Sequence, residues 1–289
     1  MPLNLKISDF FPNSDIPVLV LWRDHQPDYP LHTHEFDELV IVYGGRGEHF
    51  RSDECWTIEA GDVYVMHGRT PHGYRNVKNL QLVNIIFDMN GFDNPLSELI
   101  RFPAFHALFL LSPRFSGVSG GAMRLNTEEL SVVLELLEAM ETEQDERGPG
   151  HRMMITGLFM QLVAFLTRCY GKKQTEMFAP NSPLIRLAEV IAEMADKSSY
   201  PWTRDELAAR AGMSSSTLTR AFKRFTGDSP IDYLIKLRVK KACSLLAATD
   251  MSVSEVAQKC GFSDSNYFTR QFNKHTNTTP RQYRKIVNS

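Results

Sequence analysis

At 289 residues the chain exceeds one ordinary domain and suits two, each large enough to bury its own core. Its composition, 43% hydrophobic and 23% charged, excludes a disordered or low-complexity chain, and four scattered cysteines without a Cys-x-x-Cys pair argue against a disulfide framework or zinc finger. The formal net charge of -2 hides a division: from Leu184 to Ser289 there are 17 Lys/Arg against 10 Asp/Glu, leaving 15 against 24 for the rest, so only the last part is basic enough to suit phosphates.

In chain order, the first half reads as short strands separated by turn signals. Candidate strands are Val18 to Trp22, Glu38 to Tyr43, Glu48 to Phe50, Cys55 to Ile58, Val63 to Met66 and Leu80 to Phe87, with turns at Gly44-Gly45, Ser52-Asp53 and Gly61-Asp62. A β-barrel or sandwich over about residues 17–90 follows. On an extended strand residues two and four apart share a face, so His32, His34 and Glu38 are expected to point to the same side, the barrel interior. Joined by His72 from a later strand, they have the chemistry to ligate a divalent transition metal. The same four, with Trp22 and Tyr74 and with Tyr64 nearby, serve equally as polar and aromatic groups that hold a small-molecule effector directly. Both readings stand at this stage, and no cofactor is required by either the strands or the turns.

Two helices are expected next, Glu128 to Glu143 and Arg152 to Tyr170, from apolar residues at helical spacing, with Gly148-Pro149-Gly150 as the break between them. No uninterrupted apolar run approaches the ~18 residues of a membrane span, and the amino terminus lacks a secretory leader, so a cytoplasmic protein is expected. The sequence divides into a sensor and dimerisation domain at 1–175, a linker at 176–183 and a helical domain at 184–289.

An internal repeat organises the helical domain. Glu206 to Ser214 reappears as Glu255 to Ser263, and after one inserted residue Phe222, Thr226, Pro230 and Tyr233 match Phe272, Thr276, Pro280 and Tyr283. Each copy carries a short apolar helix, a glycine (Gly212 or Gly261), a packing residue, a serine and a second helix, which is helix-turn-helix grammar over about 203–225 and 252–275. The second helices bury Leu218 with Phe222, and Phe268 with Phe272. Their polar faces offer Ser215, Ser216, Thr219, Arg220 and Lys223 in the first, and Ser265, Asn266, Thr269, Arg270 and Lys274 in the second, to base edges and phosphates. Ile231 to Leu246 reads as one helix joining the two units.

Tyr233, Leu234 and Arg238, then Ala242, Leu245 and Leu246, the run Cys260 to Phe272, and Thr279, Pro280, Tyr283 and Arg284 together resemble the AraC/XylS transcription regulators over about 184–287. The resemblance implies seven helices, places Arg220 and Arg270 as DNA contacts, and matches Ser216 and Asn266 to base-reading positions. In the first half, the spacing of His32, His34, Glu38, Gly45, Gly61, Pro71, His72 and Asn76 resembles the two cupin motifs, although His67 and Arg69 stand where a proline and a glycine are usual. The stretches Asp9 to Phe11, His32 to Val42 and Asn84 to Ile86 look like the L-rhamnose regulators of that family, with the likeness fading beyond Asp88.

The fold class expected is therefore α+β: a cupin-like barrel with a helix pair, then an all-α domain of two helix-turn-helix units. The expected function is an effector-responsive DNA-binding regulator, an activator of a sugar-utilisation operon with L-rhamnose as the effector. It would act as a homodimer on double-stranded operator DNA with RNA polymerase as a partner, with no membrane attachment and no enzymatic activity. The alternative from another class is a cupin metalloenzyme fused to a DNA-binding module, which would need a metal with an open position and a catalytic base that the motifs do not supply.

Overall fold

A computed structural model of the chain describes residues 3–6, 10, 18–51, 54–68, 70–87, 98–111, 123–177 and 183–287. It divides into two compact units, Met1–Leu96 with Ser112–Ala179, and Ser97–Leu111 with Pro180–Ser289. Most of the expected linker, along with Asp9, Phe11, Ser52, Asp53 and Arg69, lies outside the described residues.

Among the described residues the first unit has eight strands: β1 (Leu3–Leu5), β2 (Val18–Arg23), β3 (Tyr29–His34), β4 (Asp37–Phe50), β5 (Cys55–Glu59), β6 (Asp62–Met66), β7 (His72–Phe87) and β8 (Met123–Arg124). The long strands β4 and β7 pair antiparallel from Asp37↔Phe87 to Phe50↔Gly73 and form its spine. Each is shared between two neighbours: β4 pairs with β6 along its first half and β5 along its second, while β7 pairs with β3 and then β2. The sheet is mixed, since β1 runs parallel to β3. Glu38 to Val42 and nearly all of Leu80 to Phe87 are buried, as expected of strands covered on both faces.

Two sequence expectations are corrected here. Gly44-Gly45 is not a turn between two strands; β4 runs through it with register shifts at Gly44, Arg46 and Glu48. Gly45 has φ +66°, and a Cβ there would fall 1.8 Å from the Asn79 carbonyl, while Asn76 and Asn79 on β7 also take positive φ. The glycine pair makes a bulge matched by left-handed asparagines opposite, so both strands kink together and curl. Nor do His32, His34 and Glu38 share one strand, because the chain leaves the sheet at Glu35 and Phe36 between β3 and β4.

Two helices complete this unit, α1 (Thr127–Glu146) and α2 (His151–Met177). Asn126 and Glu129 form a reciprocal capping box that starts α1, and Arg147, at φ 48°, ends it. Gln144 accepts from the Val20 N–H at 2.9 Å, which occupies part of the free edge of β2. By length and average composition, residues His151–Lys173 of α2 are apolar enough to cross a membrane, while each uninterrupted apolar run within them stays core-sized, as expected. Thr156, Gly157, Gln161 and Arg168 interrupt the stretch. Its buried residues, Ile155, Phe159, Leu162, Val163 and Leu166, include a ring packed 5.4 Å from Phe87 of the sheet.

The second unit has seven helices from Pro183 onward: α3 (Pro183–Asp196), α4 (Arg204–Arg210), α5 (Ser215–Thr226), α6 (Pro230–Ala248), α7 (Val253–Lys259), α8 (Ser265–Thr276) and α9 (Pro280–Val287). Side chains of Thr203, Ser214, Ser229, Ser252 and Asp264 cap five of their starts. The joining helix is continuous, as expected, and Arg238 from its middle donates to the carbonyls of Ser198 and Tyr200, both at 2.8 Å. Residues Ser97–Leu111, sequentially between β7 and β8, belong to this unit.

Candidate functional site

β2, β3, β4 and β7 bring polar side chains around a cavity of about 370 Å³, lined among others by Arg23, Tyr29, His32, His34, Glu38, Tyr74 and Asn84. The volume suits a small molecule. His32 and His72 face each other in register across β3 and β7, and Tyr74 is held by a 3.2 Å hydroxyl contact to Tyr64. Burial lowers the pKa of His32 to about 4, so its imidazole is neutral at ordinary pH.

At one side of the cavity the Nε2 atoms of His34 and His72 each lie 3.6 Å from Glu38 Oε2. All three residues are buried and their ligand atoms lie within 4.8 Å of one another. Each imidazole donates from Nδ1 to a backbone carbonyl, His34 to Phe36 at 2.6 Å and His72 to Thr70 at 2.9 Å. A carbonyl can only accept, so a neutral ring must then present a bare lone pair from Nε2. Both Nε2 atoms are buried without a hydrogen-bond partner. Burial lowers the pKa of His34; burial opposes ionisation of Glu38, but the imidazoles of His72, His34 and His32 around it outweigh that and hold its pKa low. Two lone pairs and a carboxylate thus converge on one point. A divalent cation satisfies all three, and the residues fit one.

In the second unit, α5 and α8 each follow a short helix and a positive-φ glycine, Gly212 or Gly261. Ser216, Arg220 and Lys223 are exposed on α5, as are Ser265, Asn266, Arg270 and Lys274 on α8. The remaining hydroxyls are partly committed: Ser215 donates to Asp205 at 2.6 Å, and Thr219 and Thr269 donate to carbonyls one turn earlier in their own helices. The exposed groups are those that bond phosphates and base edges.

The family model of the AraC-like ligand binding domain matches residues 17–163, and that of a helix-turn-helix domain matches residues 207–286. The HTH-type transcriptional activator RhaS of Escherichia coli is 32% identical over 277 residues, covering 96% of this chain and 95% of the relative. The chain belongs to the AraC family of transcription regulators. The HTH-type transcriptional activator RhaR of Mannheimia succiniciproducens is 29% identical over 98% of the chain and 96% of its own length. The crystallised DNA-binding domain of AdpA in complex with a target DNA is 38% identical, over 35% of this chain and 91% of its own, at a TM-score of 0.34. This AraC-family protein is thus a ligand-responsive DNA-binding regulator, and its relatives are regulators rather than enzymes.

Of the regulator's sequence-predicted cavity residues, the structure places His32, His34, Glu38 and Tyr74 in the cavity lining. It gathers His34, Glu38 and His72 as a ligand set, while His32 stands beside them with its ring 4.2 Å from that of His72. Trp22 is not in the lining: Leu21 and Arg23 line the cavity, so the intervening side chain points the other way, onto Tyr43 at 5.4 Å.

Three features escaped sequence reading. His49 on β4 is fully buried with both ring nitrogens unpartnered, 5.3 Å from the His72 ring and 4.5 Å from Trp56; burial holds its pKa well below the ordinary value. The bulge at Gly44 breaks strand parity, so no count from Glu38 could have assigned its face. Asn84 stands as the sole polar residue among apolar neighbours from Leu82 to Phe87, a usable signal. On α8, Tyr267 is 38% exposed with the Arg270 guanidinium 5.9 Å from its ring centre, a cation–π contact that restrains that arginine.

Proposed function

We propose that this regulator activates a sugar-utilisation operon, with L-rhamnose held in the barrel cavity as the effector. The observation that carries the sensor half is the partly open cavity at the matched ligand-binding domain, into which His32, His34, Glu38, Tyr74 and Asn84 converge from an otherwise largely apolar wall. The activator reading is supported by the names of the relatives, and the sugar by the motif resemblance in the barrel. We infer a cytoplasmic homodimer that also contacts RNA polymerase; Met153 and Met154, 80% and 51% exposed at the start of α2, support a partnered helix pair. Adding L-rhamnose to the full-length protein is expected to raise its melting temperature in step with concentration, because a ligand bound only by the native state stabilises it by mass action. A flat response to L-rhamnose alongside a rise with another sugar would reassign the effector, and a flat response to a whole panel of sugars would overturn the sugar reading.

The DNA contacts are proposed at Ser215, Ser216, Thr219, Arg220 and Lys223, and at Ser265, Asn266, Thr269, Arg270 and Lys274. Arg220→Ala and Arg270→Ala are each expected to weaken operator binding by about 1–3 kcal/mol if the arginine reads a base. Fluorescence anisotropy at fixed salt measures this, and unchanged affinity in both variants would remove α5 and α8 from the interface.

The convergent lone pairs support a second reading of the same site, in which His34, Glu38 and His72 hold a divalent transition metal, with His32 positioned next to it. When bound, such an ion supplies a Lewis acid able to accept hydroxyl oxygens of a sugar. Purified protein is then expected to contain about one equivalent of metal by elemental analysis, and His34→Ala close to none. Metal-free wild-type protein that binds its effector normally would leave the direct polar contacts alone.

A further inference from the structure

The apolar run Phe105 to Leu111 sits in sequence between two strands of the ligand-binding sheet, yet it is buried in the other unit. Residues Leu99–Arg101 form a 3-10 turn, Pro103–Phe105 one helical turn and His106–Leu110 a π turn. All three touch α3. Phe105, Ala107, Leu108, Phe109 and Leu111 are at most 1% exposed, and the rings of Phe105 and Phe109 stack at 5.4 Å. His106 closes the strap on itself by donating from Nε2 to the Ile100 carbonyl at 2.6 Å.

Glu189, Ala192, Glu193 and Asp196 share one stripe of α3, at helical spacing, and line a cleft together with Arg101 and Pro103 of the strap. Arg101 Nε pairs with Asp196 at 3.2 Å. On the same stripe Glu193 accepts from Arg210, the last residue of α4, at 2.6 Å. A chain of named contacts thus runs from the strap through α3 to the first helix of the first helix-turn-helix unit.

The strap's two ends are anchored in sequence to the ligand-binding sheet. Upstream, β7 carries Asn84 and Ile86, which line the cavity, and ends at Phe87. Downstream, β8 pairs with Asp62 and Val63 of β6, and Arg124 is held by Asp62 at 2.8 Å and by Glu59. A ligand can change DNA binding only through an element that differs between two states, and this segment is covalently continuous with the cavity wall while packed on α3.

We propose that residues Leu99–Leu111 are a strap whose seating on α3 sets the pose of the first helix-turn-helix unit. Occupancy of the barrel cavity then reaches DNA through β7 and the strap, a step that rests on the effector reading above. The test uses full-length protein. Leu108→Ala is expected to speed hydrogen exchange along α3 by about tenfold or more while leaving β4 unchanged. Arg101→Asp, a change at an exposed pair that should not disturb folding, is expected to shift operator affinity by about threefold at low salt, and Arg101→Asp with Asp196→Arg to restore it. Unchanged exchange in α3 for a folded Leu108→Ala, or wild-type operator affinity in Arg101→Asp at low salt, would overturn the strap. L-rhamnose serves as the probe of coupling. If it binds wild type and alters operator affinity equally in wild type and Arg101→Asp, the coupling through the strap is overturned. If it fails to bind wild type at all, the effector reading fails, while the exchange and affinity results still decide the strap.

Discussion

Phe272→Ala is expected to cost about 3–5 kcal/mol and to abolish binding to every operator sequence alike. The side chain is fully buried in a cluster with Val239, Ala242, Leu246, Val256, Cys260 and Phe268. Its ring lies 5.6 Å from Phe268 and 5.5 Å from Tyr283, so truncation leaves a void that neighbouring rings cannot fill without losing their own contacts. That loss is a large share of the ~5–15 kcal/mol that stabilises a typical domain. Urea unfolding checks the stability, and binding to operator and to scrambled DNA checks the selectivity. A variant of normal stability with altered base preference would move Phe272 from the core to the reading surface.

Gly261→Ala is expected to destabilise the same unit by about 3 kcal/mol, against about 1 kcal/mol for the repeat-equivalent Gly212→Ala. Both glycines have positive φ, +86° and +60°, so both substitutions incur the left-handed penalty. They differ in what a methyl group meets. At Gly212 the nearest atom, 2.5 Å away, is the guanidinium end of Arg186, which can swing aside. At Gly261 the methyl would lie 2.6 Å from the Ser199 carbonyl oxygen and under 3.0 Å from its backbone carbons. Ser199 cannot retreat: its hydroxyl donates to Lys259 O at 2.8 Å and meets Lys241 Nζ at 2.9 Å, while Arg238 grips both neighbouring carbonyls. Equal shifts in urea midpoint for the two variants would show that backbone conformation alone, and not this close approach, requires glycine.

The helical unit was readable because its determinants are local. Caps, positive-φ glycines and apolar spacing all act within a few residues, and duplication printed them twice, at Glu206 to Ser214 and Glu255 to Ser263. The ligand-binding unit was readable only in parts, since strand pairing is non-local. His32, His34 and Glu38 announced themselves by spacing, but the assumed single strand was in fact two, and the paired bulges at Gly45 and Asn79 hid His49. Trp22 was misplaced because its aromatic character suggested a sugar platform, whereas strand alternation, applied from Leu21, turns it away. The strap was visible only as an apolar run. Nothing in its composition says which unit it covers, since burial depends on a surface, α3, that lies far along the chain.

The brace at Arg238 bears on the shape of the operator. It ties the middle of the joining helix to the loop before the first helix-turn-helix unit, and so opposes independent turning of α5 and α8. A straight duplex presents successive major grooves ~34 Å apart, and α6, 19 residues long, fixes how far apart α5 and α8 are carried. If α5 and α8 both enter major grooves and the separation this brace fixes differs from the groove spacing, the duplex bends to meet them. Base steps lying between the two contacted grooves, touched by no side chain, would then be selected for how easily they bend.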